Sequence, residues 1–464
     1  MMEMGSMRFG SAKVDITPPL PIPLAGYASR KADFEGISRP LYVRACLFHQ
    51  IGDTGETSKA LMLQADLIWW GTERLQDLSR VIQEKWDIPA QHIVYHASHT
   101  HGGPQTTRRL NPMLGRLKEE YVLYLERKVE EAIQLAHDNL EPVRMERGTG
   151  ECPGISINRR NWRDGSVVSA PNPGGVNDTE VTVIHFVIES AAKADGTDAM
   201  DGADRRDGRT KGVMFHFTCH PTSTGANRIT SDYCGAAMEV LDQVLGEGVS
   251  CFIQGCCGDI RPRLLNEEED AFRAGSEDDI GRSGEMLART VLDILQGPLT
   301  PLAPSEIRVW STQADLPYQR VPSMEELQAD MEDSETRAEW KLLLRTDPGR
   351  LMPSGTLHLQ LLQVAEGLAF LAMDGEIVVE YGLWIKLLSD NQVLPLGYSN
   401  GMVGYIPTAR QIHEGGYESV SSIPYFGYPA PMVPQIEENI RSGIRELIQC
   451  MEHANKRNIR QEEL

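Results

Sequence analysis

Apolar runs and helical repeats alternate along the first part of the chain. Residues 60–69 form an apolar run typical of a buried strand, and residues 92–98 form a second one. Between these runs, apolar side chains recur every three to four positions in residues 73–86, which is the period of an amphipathic helix. The pattern predicts a strand, a helix and a strand in succession, as in proteins of the α/β class.

The same alternation continues through the rest of the chain. It predicts helices at 117–138, 234–246, 278–296 and about 435–455, strands at 212–219, 249–254, 355–374 and 393–398, and a charged helical stretch at 323–346. Residues 190–211 are rich in Gly, Asp and Ala, which predicts a mobile surface loop, and the acidic residues 266–279 are typical of a solvated face. No linker divides the chain, so we expect one large α/β domain over residues 1–464.

Composition narrows the choice of partners. The chain has 66 acidic and 45 basic residues, a formal net charge of −21, and a surface of this sign repels nucleic acid backbones and anionic membranes. No apolar run reaches the ~18 residues that a transmembrane segment needs. Residues 1–15 lack the basic flank and apolar stretch of a secretory signal. We therefore expect a cytoplasmic protein that acts on a small molecule and binds no nucleic acid, and its oligomeric state stays open.

A pair of histidines marks the first candidate site. His99 and His101 are two residues apart, directly after the predicted strand at 92–98. On extended backbone, residues i and i+2 point to the same side, so both imidazoles can face one cavity. Core histidines and chance also produce such pairs, so the pair by itself leaves both interpretations open.

A second histidine group ends another predicted strand. His216, Thr218 and His220 share one strand face, and Pro221 places His220 at the strand tip. Two strand tips that carry histidine resemble half of a catalytic zinc site, which usually takes three protein ligands from His, Glu or Asp. Glu376 follows an apolar strand and is a candidate for the carboxylate ligand; the alternative is a surface carboxylate.

Nine motifs, in order and spread over nearly the whole chain, resemble the catalytic domain of the neutral/alkaline (non-lysosomal) ceramidase family. They are AKVDITPPLPIPLAGY at 12–27, PLYVRACLF at 40–48, SHTHGGP at 98–104, INRR at 157–160, NPGGVNDTEVTV at 172–183, CHPT at 219–222, QGCCGDIRP at 254–262, DGE at 374–376 and GYIPT…GGYE at 404–418. The resemblance implies β-sheets flanked by α-helices in one catalytic domain. The immunoglobulin-like C-terminal domain of ceramidases is expected to be absent.

The resemblance also implies a metal site. Carried over motif by motif, it assigns zinc (Zn²⁺) to His99, His220, Glu376 and Tyr405. Two imidazoles, a carboxylate and a phenol oxygen are a chemically sensible zinc set that leaves room for water and a substrate carbonyl.

Three further residues receive catalytic roles from the resemblance. His101 is expected beside the metal, where it handles protons or orients the substrate. Arg159 and Tyr417 are expected to polarise the substrate carbonyl and stabilise the oxyanion. The alternatives are a surface salt bridge for Arg159 and a packed aromatic ring for Tyr417.

One position departs from the family. Arg261 stands where characterised ceramidases have the active-site serine, and an arginine with a pKa above ~12 cannot act as a nucleophile. The hypothesis is that a zinc-activated water attacks instead, with His101 or Glu376 accepting its proton.

Arg261 also bears on the substrate. Its guanidinium suits carboxylate or phosphate, and together with Arg159, Arg160 and Arg263 it predicts a cationic pocket. The alternative is that Arg261 pairs with Asp259 or another acidic residue and braces the loop.

The leading hypothesis is therefore a metal-dependent amidohydrolase that acts on a polar or anionic substrate rather than on ceramide. A second hypothesis is an N-deacylase or esterase that acts on a sugar or amino-acid derivative. A third is a catalytically silent metal-binding protein that keeps the fold.

Overall fold

Two β-sheets packed face to face form the centre of this computed structural model, which describes residues 6–52, 55–189, 209–246, 248–266, 268–329 and 334–462, with side chains to 456. The strands are β1 Ser6–Asp15, β2 Tyr42–Ile51, β3 Thr57–Ala65, β4 Ile93–Ala97, β5 Glu141–Glu151, β6 Ser156–Arg163, β7 Ser166–Asn172, β8 Glu180–Ile188, β9 Thr210–Phe217, β10 Val249–Gln254, β11 Ile260–Pro262, β12 Leu265–Asn266, β13 Ala271–Phe272, β14 Thr300–Leu302, β15 Pro304–Pro317, β16 Ser354–Ala365, β17 Leu368–Met373, β18 Glu376–Ile377, β19 Val393–Leu396 and β20 Tyr405–Ile406. The larger sheet has the order β10-β9-β8-β5-β1-β2-β3-β4, with β14 beside β5, and the smaller sheet has the order β15-β16-β17-β19.

Helices cover the outer faces of the two sheets. They are α1 Thr72–Trp86, α2 Glu119–Asp138, α3 Asp232–Leu245, α4 Glu277–Gln296, α5 Met324–Ala329, α6 Glu335–Thr346, α7 Val379–Leu388, α8 Ala409–Glu414, α9 Ile423–Phe426 and α10 Ile436–Glu462. Helix α2 packs on β1 and β2, α3 packs on β10, and α10 packs on β15 and β16. The predicted α/β class, with sheets flanked by helices, is confirmed.

The side-chain period of two within each strand explains the layers. In β1 and β2, Phe9 and Phe48 point into the space between the sheets, where Phe9 stacks on Phe186 with ring centroids 3.8 Å apart. Phe370 of β17 reaches the same layer from the smaller sheet, 6.5 Å from the ring of Phe48. Neighbouring residues such as Leu47 point the other way, into the core beneath the helices. Burial on both faces accounts for the nearly continuous apolar runs in the sequence.

Two sequence expectations change in the structure. The charged stretch 323–346 is not one helix but contains α5 and α6, with residues 330–333 outside the described part. The acidic run 266–279 is not solvated throughout: Asp279 is 6% exposed because it closes a capping box with Ser276 at the start of α4 and binds Arg273.

Most of the loop expected at 190–211 cannot be compared with the structure. Residues 190–208 lie outside the described residues, and Thr210 and Lys211 already belong to β9. Within the described ranges, no helix is both long and apolar enough to cross a bilayer.

The strands bring the candidate residues to one region of the molecule. Strands β3 and β4, β9 and β10, and β18 and β20 are parallel pairs, and ligands in α/β proteins bind beyond the carboxyl ends of such strands. His99 follows β4 and His220 follows β9, whereas Glu376 and Tyr405 sit side by side at the start of β18 and β20. Positions far apart in sequence thus meet at one site.

Candidate metal centre and active site

Two buried histidines are held so that the same nitrogen of each ring is free to bind. The Nδ1 of His99 lies 2.8 Å from the carbonyl oxygen of Ile68, and the Nδ1 of His220 lies 2.6 Å from that of Cys257. A carbonyl oxygen only accepts hydrogen bonds, so each Nδ1 donates and each Nε2 keeps a lone pair. Metal-binding histidines are commonly oriented in this way by a second partner.

The carboxylate of Glu376 completes a converging group. Its Oε2 lies 3.3 Å from Nε2 of His99 and 3.2 Å from Nε2 of His220. Burial lowers the pKa of His220 to about 4, so this imidazole is neutral at pH 7. Burial alone would raise the pKa of Glu376, but the two histidines hold it well below its usual value. Two ring nitrogens and a carboxylate oxygen at these distances repel one another unless a proton or a metal cation lies between them, so the arrangement fits a metal ion. Glu376 is thus buried and not a surface carboxylate.

His101 lies closer to this group than the sequence indicated. Its Nε2 is 3.3 Å from Nε2 of His99, and ligand atoms of His99, His101 and His220 all lie within 4.8 Å of one another. Burial and its two histidine neighbours hold the pKa of His101 well below its usual value. Gly26, at φ +99°, makes room for the ring, because a Cβ there would stand 2.4 Å from Nδ1 of His101. The three histidines can hold a metal ion, and His101 is a ligand candidate that the sequence analysis placed beside the metal.

Two tyrosines and an arginine form one wall of the site. Tyr405 and Tyr417 have ring centroids 5.4 Å apart, and the guanidinium carbon of Arg159 lies 5.4 Å from the first ring and 5.3 Å from the second. Burial raises the pKa of both phenols above their usual values, so both are protonated and can donate hydrogen bonds. One nitrogen of Arg159, Nη2, is buried and has no hydrogen-bond partner among the described residues. The wall therefore offers hydrogen-bond donors to a substrate.

A short π-helical turn fixes this wall. Residues Tyr417–Ser421 form the turn, which carries Glu418, and such turns are frequent at functional sites. The carboxylate of Glu418 accepts hydrogen bonds from Nε of Arg159 at 2.8 Å and from Nη1 of Arg160 at 2.5 Å. Arg159 is consequently buried and ion-paired with Glu418 and does not form a surface salt bridge.

Arg261 has a different environment from the one expected. The alternative pairing with Asp259 is wrong, because Asp259 accepts bonds from the backbone nitrogen of Val379 and from Gln411. The guanidinium of Arg261 lies over the ring of Phe272, with 4.2 Å between its central carbon and the ring centroid. Its Nε is buried without a hydrogen-bond partner in the described part of the chain.

The wider cationic pocket predicted from the sequence is partly wrong. Arg160 is neutralised by Glu418 and Glu414, and Arg263 is exposed at the surface. What remains near the histidines is Arg159 and Arg261, and the repulsion between these two charges helps burial to lower the pKa of Arg261.

Sequence analysis missed Tyr398, which joins the segments that carry the histidines. Its ring stacks on that of His99 with centroids 4.0 Å apart, and its hydroxyl lies 3.1 Å from Sγ of Cys257. Its backbone nitrogen donates to the carbonyl of Gly375, the residue before Glu376. No motif pointed to this residue; its left-handed backbone, φ 54°, becomes visible only in three dimensions.

The chain is similar to known proteins in sequence and in fold. The family model for neutral/alkaline non-lysosomal ceramidase, N-terminal, matches residues 7–278, which include His99, His101 and His220. Neutral ceramidase from Pseudomonas aeruginosa is similar in structure, with a TM-score of 0.71 at 18% sequence identity over 97% of this chain and 75% of that chain. A structure of ceramidase complexed with C2 gives a TM-score of 0.73 at 16% identity, over 97% of this chain and 76% of that one. These structural matches show a shared fold, and the family match covers more than half of the sequence. The chain belongs to the neutral/alkaline non-lysosomal ceramidase family.

Proposed function

We propose that this protein is a zinc-dependent amidohydrolase that cleaves an amide bond in a polar or anionic substrate rather than in ceramide. The observation that carries the proposal is the convergence of His99, His220 and Glu376: Nε2 of each histidine lies within 3.3 Å of Oε2 of Glu376. Tyr405 stands beside Glu376 in the β18–β20 pair and would complete the ligand set. Zinc held by these residues would supply Lewis-acid chemistry and would activate a water molecule.

In this proposal His101 acts as the general base. The imidazole is neutral at pH 7 because its pKa is lowered, so it can accept a proton. In this proposal His101 does not bind the metal, and it accepts the proton at Nε2, which faces the other histidines, whereas Nδ1 is packed against Gly26.

In this proposal Arg159 and Tyr417 polarise the substrate carbonyl. The unpartnered Nη2 of Arg159 and the protonated phenol of Tyr417 provide donors that can bind an oxyanion as charge develops. Glu418 keeps the guanidinium in place, so little reorganisation is needed during the reaction.

Arg261 makes the serine-dependent route of characterised ceramidases inaccessible in this proposal, because arginine stays protonated and cannot attack. An N-deacylase or esterase for a sugar or amino-acid derivative uses the same groups and is the second candidate. A silent metal-binding protein is the third.

The proposal is tested by zinc analysis and a substrate panel. The purified protein is expected to contain zinc and to hydrolyse chromogenic amides, to lose the activity with chelator, and to regain it when zinc is added back. A ceramide analogue is expected to be a poorer substrate than the best soluble amide.

Three outcomes contradict parts of the proposal. Bound zinc with no turnover of any amide or ester would favour a silent binding protein. Equally efficient cleavage of the ceramide analogue would remove the substrate assignment. Full activity in chelator would exclude a metal-dependent reaction.

A further inference from the structure

Two arginines beside the histidine cluster lack a carboxylate partner. Within the described ranges, Arg261 makes no ion pair or hydrogen bond through its guanidinium. Arg30 donates only to backbone carbonyls, those of Ala25, His101, Gly225 and Ala226. Carbonyl dipoles satisfy hydrogen bonds without cancelling the charge, so both cations stay uncompensated in a protein with a net charge of −21.

Aromatic rings hold these cations next to the site. The hairpin of β12 and β13 ends in Phe272, on which Arg261 lies. The guanidinium carbon of Arg30 is 4.5 Å from the ring centroid of Tyr27, and the ring of Tyr27 is 5.0 Å from that of His101. The carbonyl of Ile260, the residue before Arg261, lies 2.9 Å from Nδ1 of His220, which places Arg261 next to the histidine cluster as well.

The same region offers few groups that could accept hydrogen bonds from sugar hydroxyls. The carboxylate of Asp232 is occupied by Ser223 and the backbone of Tyr233, and that of Asp259 by Val379 and Gln411. Glu418 is saturated by two arginines. The surroundings of Arg261 therefore favour an anion over a neutral polyol.

We infer that Arg261 is a specificity residue that binds a carboxylate or phosphate group of the substrate, with Arg30 and Tyr27 forming the adjoining wall. This inference rests on the proposed function and narrows it to N-acyl compounds that carry an anionic group, such as N-acylated amino acids. Hydrolysis adds one water molecule across the amide C–N bond and yields a carboxylate and a protonated amine, so no further reactant is required. The guanidinium binds the anion in the same way before and after this step.

The test compares matched substrates on the zinc-loaded enzyme. N-octanoylglycine is the carboxylate probe, N-octanoyl O-phosphoethanolamine is the phosphate probe, and the methylamide of N-octanoylglycine is the neutral control. Wild type is expected to favour one anionic probe over the neutral control by roughly 10–100-fold in kcat/KM, the usual worth of a charge-assisted hydrogen bond. The better anionic probe identifies the natural group.

Two variants test whether Arg261 causes the preference for the anionic probe. Arg261→Met keeps the apolar stem and removes the charge, and it is expected to abolish the preference for the anion. Arg263→Met removes an exposed arginine two residues further along and is expected to keep the preference. The comparison within wild type stands even if Arg261→Met fails to fold.

The outcomes separate this inference from the proposed function. Equal turnover of charged and neutral probes by wild type overturns the inference and leaves the hydrolase standing. If no probe is cleaved, the amide and ester panel described above tests the hydrolase, and calorimetric binding of the same three probes tests the inference. Preferential binding of an anionic probe that depends on Arg261 supports the subsite, and equal or absent binding overturns it.

Discussion

At the scale of single residues, the site depends on two residues in an unusual backbone conformation. His99 and Tyr398 both have positive φ, 67° and 54°, and their rings stack on each other. A bulky residue in the left-handed region is strained, and such strain persists where surrounding contacts over-determine it. Here those contacts reach Cys257, whose carbonyl orients His220, and Gly375, which precedes Glu376.

Tyr398 is therefore expected to control metal affinity without binding the metal. Tyr398→Leu removes the stacking and the contact with Cys257, and zinc affinity should fall by roughly 10–100-fold, as is usual when a residue supporting a ligand is lost. Affinity is measured by chelator competition, and the visible spectrum of bound cobalt reports ligand geometry.

The control for this prediction is Tyr121→Leu, a buried tyrosine of α2 whose hydroxyl binds the carbonyl of Ile16. It should destabilise the fold and leave metal affinity unchanged. Unchanged zinc affinity and cobalt spectrum in Tyr398→Leu would show that its contacts do not position the ligands.

The candidate ligands could be found in the sequence because of their neighbours. His99 and His220 each follow an apolar strand; Gly102 ends the His99–His101 pair and Pro221 follows His220, which marks a strand tip. Tyr27 and Glu418 lay inside recognised motifs, yet their partners Arg30 and Arg160 could not be assigned without distances. The roles of Tyr405, Tyr417 and Arg159 remain predictions.

At the scale of elements, the π-helical turn Tyr417–Ser421 contributes Tyr417 to the wall of the site and carries Glu418, which binds Arg159 of the same wall. Burial alone would raise the pKa of Glu418, but Arg159 and Arg160 hold it below its usual value. A carboxyl with a lowered pKa stabilises the fold above its unfolded pKa of about 4.3, and this contribution is lost as the pH falls toward the folded value.

Glu418→Gln should therefore destabilise the protein by about 3 kcal/mol at pH 7, because two buried guanidinium groups lose their shared anion. The difference in unfolding free energy between variant and wild type should shrink below about pH 4. Chemical denaturation at several pH values measures it. Glu414→Gln, which removes a more exposed partner of Arg160, should cost less than about 1 kcal/mol. An equal cost for both variants, or one independent of pH, would contradict this account.

Helices and strands were predicted correctly where an element is long enough for its apolar positions to show a period. Helix α1 and strand β4 lie within one or two residues of their expected positions. Strands β18 and β20 have two residues each, too few for any period, although they bring Glu376 beside Tyr405. The extended backbone of Ser334 at the start of α6 was also missed, because charged residues dominate the stretch on both sides of it.

At the scale of the whole molecule, the two-sheet core explains how residues 99, 220 and 376 meet. The predicted fold class followed from alternating elements, and family membership followed from motifs in order. The sheet order β10-β9-β8-β5-β1-β2-β3-β4 could not be predicted, because strand pairing depends on contacts between distant segments. The same packing places Arg30 and Arg261, which have no carboxylate partner among the described residues, in a protein with a net charge of −21. The net charge alone does not reveal this local positive charge.

The central claim is that His99, His220 and Glu376 hold a catalytic metal ion. The most direct measurement is zinc per chain, determined together with amide hydrolysis, in wild type and in His99→Ala. The claim predicts one zinc ion per wild-type chain, and loss of both zinc and hydrolysis in the folded variant. A folded His99→Ala protein that retains zinc and hydrolyses the amide at the wild-type rate would contradict it.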